Sequence, residues 1–334
     1  MSQSKSDSDK FGILISCIGT RVSLLNSFRE SAGKLGINAA FIGTDRNTLS
    51  PALQLCDVKC ILPEITGKKY LAKLLQAIEE NNVKLLMPTI DTNLMILAEN
   101  KAEFKKLGCT VLISPPEIIN ICQDKRGTYQ FLKDNNFDTP ETVPVKQALS
   151  EENPSFPRFL KPWDGAAAKG NTVVKNKEEL QFYSRRIPNC IVQEFIDGNE
   201  FTCDAYVDFD MKVRCVVPRK RLEVRSGEVS KGEIIKDNKI IKEVIRLVET
   251  LKAGPGVITI QLIRRKSDGA LKFIEINPRF GGGVPLSIKA GADFPTWVLG
   301  EITGKKPDIK PDCYEDGLKM LRYYGEVWVK TSKK

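Results

Sequence analysis

Apolar and polar positions fall into two regimes along the chain. In the first third, short apolar runs at residues 11–18, 39–43, 57–62, 84–87 and 109–114 alternate with helix-period segments at 22–35, 70–80 and 93–107. Gly36 supplies a stop signal for the first of these helices. Alternating strands and helices predict an open parallel sheet. Such sheets bind ligands beyond the carboxyl ends of their strands. The loops Gly19-Thr20-Arg21, Thr44-Asp45 and Thr89-Ile90-Asp91 lie there, and simple turn chemistry accounts for them equally well. Residues 115–122 and 125–135 read as helices, the second with Asp124 as N-cap. Residues 136–148, with Pro140 and Pro144, read as a connector. Beyond it the strands shorten and turns multiply, at 158–162, 172–174, 190–195, 201–208 and 212–218, with helices at 177–185 and 238–251. That half predicts an α+β fold with an antiparallel sheet.

The most informative stretch is a hairpin. Residues 257–264 are apolar and β-branched, and Ser267-Asp268-Gly269 is a turn. The return strand runs Phe-Ile-Glu-Ile-Asn-Pro-Arg-Phe-Gly-Gly-Gly from Phe273 to Gly283. Alternation sends Ile274 and Ile276 inward and places Glu275 and Asn277 together on the other face. Pro278 ends the ladder because it has no N–H to donate. A three-residue loop with Gly269 left-handed sets Gln261 opposite Glu275 and Thr259 opposite Asn277. A two-residue loop would bring Leu262 opposite Glu275, an aliphatic group on the polar face, so the first register is preferred. A carboxylate beside amide oxygens suits Mg²⁺. An ordinary amphipathic hairpin with a solvated face fits the same pattern.

Composition narrows the chemistry. At 334 residues, 41% hydrophobic and 28% charged, the chain can form two or three domains with real cores. No apolar run approaches the roughly 20 residues of a membrane span, and the polar residues 1–9 predict a disordered tail. The nine cysteines form no CxxC pair and read as buried, reduced thiols of a cytoplasmic protein. There is no histidine, which excludes His-based triads, imidazole bases and His–metal centres. A net charge of +9, spread along the chain without a nucleic-acid signature, points to a small phosphate-bearing ligand rather than DNA, RNA or membrane. Neither GxGxxG nor GxxxxGK[ST] is present.

Two further segments carry candidate chemistry. Residues 159–170 deliver Lys161 on a strand, then a loop of small residues with Lys169; small residues let backbone N–H groups approach an anion. Residues 192–200 run from a strand through Glu194, Phe195 and Ile196 to Glu200, and could wall a flat ring and accept from sugar hydroxyls. Each is also consistent with solvated surface.

In this order the motifs resemble the ATP-grasp superfamily, in particular the carbamoyl-phosphate synthase large-chain type, over roughly residues 11–300. The resemblance implies a pre-ATP-grasp parallel-sheet domain at residues 10–114 and a two-subdomain ATP-grasp fold. Its small subdomain with linker spans 115–190, its C-terminal subdomain 191–334. The resemblance also implies ATP and Mg²⁺, with Mn²⁺ as a substitute. Lys125 and Lys161 match the ATP lysines, with Lys169 on the flap. Glu194, Phe195 and Ile196 match the adenine link and Glu200 the ribose carboxylate. Gln261, Glu275 and Asn277 match the metal ligands, and Arg279 the arginine facing the transferred phosphoryl group. Ala166–Ala168 replaces the usual glycine- and serine-rich flap, and the chain holds one such module where the synthase large chain holds two.

The implied activity is Mg-ATP-dependent ligation of a small-molecule carboxylate to an amine or amino acid, by Arg279 and Lys161 among others. Alternatives are a bicarbonate- or carbamate-phosphorylating subunit and a non-catalytic ATP-binding sensor. A homodimer is compatible with either enzyme. The basic run Pro218–Gly227 adds Arg219, Arg221 and Arg225 as candidates for a substrate carboxylate or γ-phosphate, and a solvated strand face fits the run equally well. Gly281–Gly283 could supply N–H donors to an acyl phosphate, or could be a flexible bend.

Overall fold

The computed structural model describes residues 10–165 and 168–330; the expected tail at 1–9 and the flap alanines Ala166 and Ala167 lie outside them. The N-terminal third is built from β1 (Phe11–Ser16), α1 (Val22–Lys34), β2 (Ala39–Asp45), α2 (Pro51–Gln54), β3 (Val58–Ile61), α3 (Tyr70–Glu80), β4 (Val83–Pro88), α4 (Leu94–Glu99), α5 (Lys101–Lys106) and β5 (Thr110–Val111). The five strands form a parallel sheet in the order β3-β2-β1-β4-β5. The order reverses at β1/β4, where doubly wound sheets open a crevice. The single helix expected over 93–107 is two helices. Asn100 leaves helical geometry at φ −106°, ψ 16°, and its side-chain amide donates to the Ile96 carbonyl at 2.8 Å. An Asn side chain that competes for the backbone in this way favours a helix end.

The middle of the chain forms α6 (Pro116–Gln123), α7 (Lys125–Asp134), β6 (Thr142–Pro144), α8 (Val145–Ser150), β7 (Arg158–Pro162), β8 (Thr172–Val174), α9 (Lys177–Arg186) and β9 (Cys190–Glu194). Asp124 caps α7 by accepting from the Arg126 N–H at 2.8 Å. The expected connector at 136–148 instead contributes β6 and α8. Its Thr142-Val143-Pro144 pairs with β9, which completes an antiparallel sheet β6-β9-β7-β8. Pro144 sits at the end of this edge strand, where its missing N–H costs no ladder bond.

The remainder is β10 (Gly198–Val207), β11 (Val213–Arg225), β12 (Glu228–Ile234), α10 (Asn238–Leu251), β13 (Gly256–Arg265), β14 (Leu271–Asn277), α11 (Val284–Lys289), α12 (Phe294–Ile302) and β15 (Lys319–Leu321). The strands form an antiparallel sheet, β14-β13-β10-β11-β12-β15. Strand alternation gives it two faces. Phe201, Cys203, Ala205, Ile258, Ile260 and Leu262 are buried against the apolar stripe of α10, Ile240, Val244, Leu247, Val248 and Leu251. Each of those five aliphatic side chains contributes about 1.5–3 kcal/mol of burial. Asp237 caps α10, accepting from the N–H groups of Lys239 and Ile240 at 3.0 Å. The opposite face carries the polar residues described below.

The β13–β14 hairpin reaches the expected register by a different route. Arg265 and Ala270 close a four-residue loop in which Gly269 has φ +70°. The register then shifts between Gln261 and Leu262, which restores Gln261 opposite Glu275 and Thr259 opposite Asn277. The residue absorbed by this bulge is Ile274. It was expected in the core, but the extra residue turns it to the polar face, where it is only partly buried.

Among the described residues no helix is long and apolar enough to cross a membrane. All nine cysteines are unbridged. Not all are buried, however: Cys17, Cys60 and Cys190 are partly exposed and Cys313 is exposed.

Candidate functional site

The polar face of the six-stranded sheet is organised in rows. Pairing sets Arg219, Thr202, Gln261 and Glu275 side by side across β11, β10, β13 and β14. Two residues further along, Asp204, Thr259 and Asn277 form a second row on the same face. A cavity of about 680 Å³ opens over both rows. The parallel sheet closes it with Arg21 and Thr89–Thr92, α7 with Lys125, and the four-stranded sheet with Lys161 and the β9 exit. Its apolar wall is Phe159, Phe195, Ile196, Ile263 and Ile274.

Charge on this wall is arranged unevenly. Four arginines each hold a carboxylate. Arg219 grips Asp204 through Nε and Nη2, both at 2.8 Å, and Ser287 donates to the same carboxylate at 2.6 Å. Arg279 grips Asp91 of the parallel sheet at 3.0 and 2.5 Å. Arg21 donates to Glu228 at 2.7 Å. Arg221 pairs with Glu200 and reaches Gln261 Oε1 at 3.4 Å. The two lysines have no acidic partner within salt-bridge distance among the described residues. Lys125 donates to the Gly165 carbonyl at 2.6 Å. Lys161 makes no side-chain hydrogen bond among the described residues and is only 5% exposed. Burial pushes its pKa down to about 8; Glu275 and Glu200 pull upward, and Lys125 adds to the depression.

An unpaired buried ammonium is costly unless an anion completes it. Across the cavity, Glu275 has no hydrogen bond or ion pair among the described residues, and the amide oxygens of Gln261 and Asn277 flank it in the two rows. One free carboxylate with two amide oxygens fits a hard divalent cation that takes its remaining ligands from phosphate and water.

The three glycines after β14 have a role that the sequence did not reveal. A Cβ at Gly281 would lie 2.8 Å from Thr259 Oγ1, one at Gly282 2.8 Å from Arg21 Nη1, and one at Gly283 2.1 Å from Arg219 Nη1. Each glycine makes room for one side chain of the site.

The structure brings Lys125, Lys161, Glu194, Phe195, Ile196, Glu200, Gln261, Glu275, Asn277 and Arg279 to one cavity. Lys169 stands apart, exposed and outside the cavity wall. Of the three basic-run candidates, Arg219 and Arg221 line the cavity. Arg225 points away and pairs with Glu223, because alternation along β11 puts residues 219 and 221 on the polar face and a bulge after Arg221 breaks the sequence before 225. Asp91, Asp204, Thr259 and Glu228 also meet the site residues. The hairpin register signalled Thr259, and its position at a strand's carboxyl end signalled Asp91; nothing local signalled Asp204 or Glu228.

Lysines over a cavity floored by a carboxylate–amide row, between two antiparallel sheets and behind a parallel one, define an ATP-grasp architecture. Residues 122–283 match the ATP-grasp domain family and residues 13–112 match the PylC-like N-terminal domain family, so the chain carries an ATP-grasp domain behind a PylC-like N-terminal domain. A D-alanine–D-alanine ligase of Fusobacterium nucleatum is 27% identical over 169 residues, covering 47% of this chain and 56% of that protein. The chain spans little more than half the length of the curated relatives it matches. Among solved structures, the biotin carboxylase domain of the Hydrogenobacter thermophilus 2-oxoglutarate carboxylase, bound to MgADP, ADP and bicarbonate, superposes with a TM-score of 0.71. It is 14% identical and covers 93% of this chain and 74% of its own. The L-amino acid ligase of Bacillus licheniformis gives a TM-score of 0.69 at 20% identity, covering 90% and 78%.

Proposed function

We propose that the chain is a Mg-ATP-dependent ligase that activates a small-molecule carboxylate as an acyl phosphate for attack by an amine. The observation that carries this is the buried, unpaired Lys161 set across one cavity from an unpaired Glu275. Phosphate would complete the lysine, and a divalent cation the carboxylate. Glu275, Asn277 and Gln261 would hold Mg²⁺, which supplies charge neutralisation on the phosphates when bound. Mn²⁺ would suit the same donors.

A carboxylate oxygen of the substrate attacks the γ-phosphorus and ADP departs. The amine then adds to the acyl carbon and inorganic phosphate leaves. Lys125 and Lys161 hold the phosphate charge, and Arg279, kept in place by Asp91, faces the transfer. Phe195 and Ile196 would flank the adenine and Glu200 would meet the ribose, with Arg221 as its companion. D-Alanine ligase and L-amino acid ligase among the relatives support an amine acceptor. The carboxylase neighbour bound to bicarbonate supports a second reading, in which bicarbonate is the activated acid. Nine unbridged thiols suit a reducing compartment such as the cytoplasm.

The test is Mg²⁺-dependent ADP release across a panel of amino acids and bicarbonate, for the natural chain and Glu275→Gln. Stimulation by amino acids, lost by about 100-fold or more in Glu275→Gln, is expected. Stimulation by bicarbonate alone selects the second reading. A folded natural chain with no affinity for MgATP refutes both.

A further inference from the structure

Residues 310–318, between α12 and β15, form a strap laid over β11 and the end of α11. The Tyr314 hydroxyl donates to the Val216 carbonyl at 3.0 Å, the Glu315 N–H to that of Ala290 at 2.7 Å and the Gly317 N–H to that of Ile234 at 3.0 Å. Lys236 adds two ties, from its N–H to Asp316 at 2.7 Å and from its ammonium to the Asp312 carbonyl at 3.1 Å. Gly291, at φ +120°, lets the strap come this close: a Cβ there would lie 2.7 Å from the Cys313 carbonyl oxygen. The strap is therefore pinned on both sides of Cys313.

That pinning holds the Cys313 thiol in hydrogen-bond contact with Cys215 of β11. The two sulfurs are unlike. Cys215 is 2% exposed, and its thiol also reaches the Pro311 carbonyl at 3.3 Å. Cys313 is exposed, and its thiol reaches the Gly291 carbonyl at 3.6 Å. A hydrogen bond from Cys215 holds the pKa of Cys313 below that of an ordinary thiol; burial and Asp312 oppose this, while the Cys313 N–H and Lys236 assist it. The same contact, with burial, pushes Cys215 upward. Burial raises each of the other seven cysteines, including the partly exposed Cys17, Cys60 and Cys190. Cys313 alone combines exposure, thiolate character and a thiol in contact.

We propose that Cys313 and Cys215 are a reversible dithiol–disulfide site, oxidised by low-molecular-weight disulfides. The Cys313 thiolate attacks one sulfur of the reagent, whose S–S bond breaks. One half leaves as a thiolate and takes up the proton that Cys313 had released to solvent. The other half stays on Cys313 as a mixed disulfide. Cys215 then gives up its proton and attacks the Cys313 sulfur, and the second half departs as a thiol carrying that proton. The pair loses two electrons, and the reagent gains them as two thiols. The new bond ties the strap to β11. Where the surroundings are reducing the pair rests as thiols, and it closes when the thiol–disulfide balance turns oxidising. The site does not depend on the ligase reading.

Peptide mapping of the full chain tests it. The reduced chain is held in glutathione buffers of rising oxidised fraction, quenched with acid, alkylated and digested. A Cys215–Cys313 bridge is expected before any other, and dithiothreitol should reverse it completely. Cys215→Ala should instead retain one glutathione on Cys313. Cys313→Ser, a change at an exposed position, should carry neither a bridge nor an adduct on Cys215. Iodoacetamide at pH 7 should alkylate Cys313 about tenfold or more faster than Cys17, Cys60 or Cys190. Should Cys215→Ala fail to fold, the natural chain and Cys313→Ser decide by themselves. A glutathione adduct that persists on Cys313 of the natural chain without a bridge overturns the site. So does a bridge between other cysteines that forms first, alkylation of Cys313 no faster than of the other three, or a folded chain that does not oxidise in any of the buffers.

Discussion

Gly283→Ala isolates one steric claim. Gly283 has φ −88° and ψ −7°, a conformation any residue adopts, so the substitution adds no backbone strain. Elsewhere such a change stabilises by about 0.4–1 kcal/mol through the unfolded chain. Here the new methyl would sit 2.1 Å from Arg219 Nη1 and 3.0 Å from Val229 Cγ1, so something must give by about 1 Å or more. Arg219 cannot retreat cheaply. It is 1% exposed, and Asp204, with no exposure at all, holds two of its nitrogens. Breaking a buried pair of this kind costs about 3–5 kcal/mol. Subtracting the unfolded-state gain leaves a net loss of about 2–4 kcal/mol, or a fall of about 3–6 °C in apparent Tm for a chain of this length. Thermal melts of Gly283→Ala, Arg219→Ala and the double variant measure it. With the guanidinium gone, adding the methyl should cost less than about 0.5 kcal/mol more. Gly33→Ala is the control: it is helical, nothing lies within 4 Å of its Cβ, and it should gain about 1 kcal/mol. A Gly283→Ala chain as stable as the natural one, or strict additivity in the cycle, refutes the claim.

Lys161→Met should raise the stability of the nucleotide-free chain at neutral pH by about 1–3 kcal/mol while weakening MgATP binding at least about tenfold, read by melts and titration. The folded pKa of Lys161, about 8, lies below that of an unfolded lysine. Between those values the unfolded chain binds more protons, so its burial penalty lifts and stability rises with pH, while phosphate affinity falls as pH climbs through about 8. Both trends should vanish in Lys161→Met; a pH-independent natural chain would refute them. Arg225→Ala should leave nucleotide affinity within about twofold, since Arg225 is exposed and its partner Glu223 keeps Lys231. Asp91→Asn should lower ADP release, because it frees Arg279 from its clamp; equal turnover would show that the clamp does not position Arg279.

Sequence pattern made some elements legible and hid others for identifiable reasons. Tyr70–Glu80 and Asn238–Leu251 carry clean helical stripes, and their observed bounds coincide with those expected. The Gln261–Glu275 register was expected from a three-residue loop; a longer loop and a bulge at Ile274 compensated for one another. Local sequence cannot distinguish the two, because only the core position of Phe273 decides which residue is absorbed. Strand β12 was missed because Val-Ser-Lys-Gly-Glu is weak as a strand by itself and gains its identity from pairing with β11. Arg279 was expected at the site, but its partner Asp91 lies 188 residues earlier, and Arg21 and Glu228 are 207 apart. No periodicity reports such pairs. The glycine triplet read as flexibility or anion donors because the three side chains that fill its vacated space come from three other parts of the fold.

Those two distant ion pairs also bear on how such chains can be recombined. Arg21 and Asp91 come from the parallel-sheet unit, Glu228 and Arg279 from the rest. A chimera that grafts a foreign front unit onto this back half would leave Arg279 without its carboxylate and Glu228 with Arg322 as its one remaining partner among the described residues, unless the graft carries both matching charges. The four positions work as two mated pairs, so a change at one has to be matched at its mate before front and back halves can be exchanged.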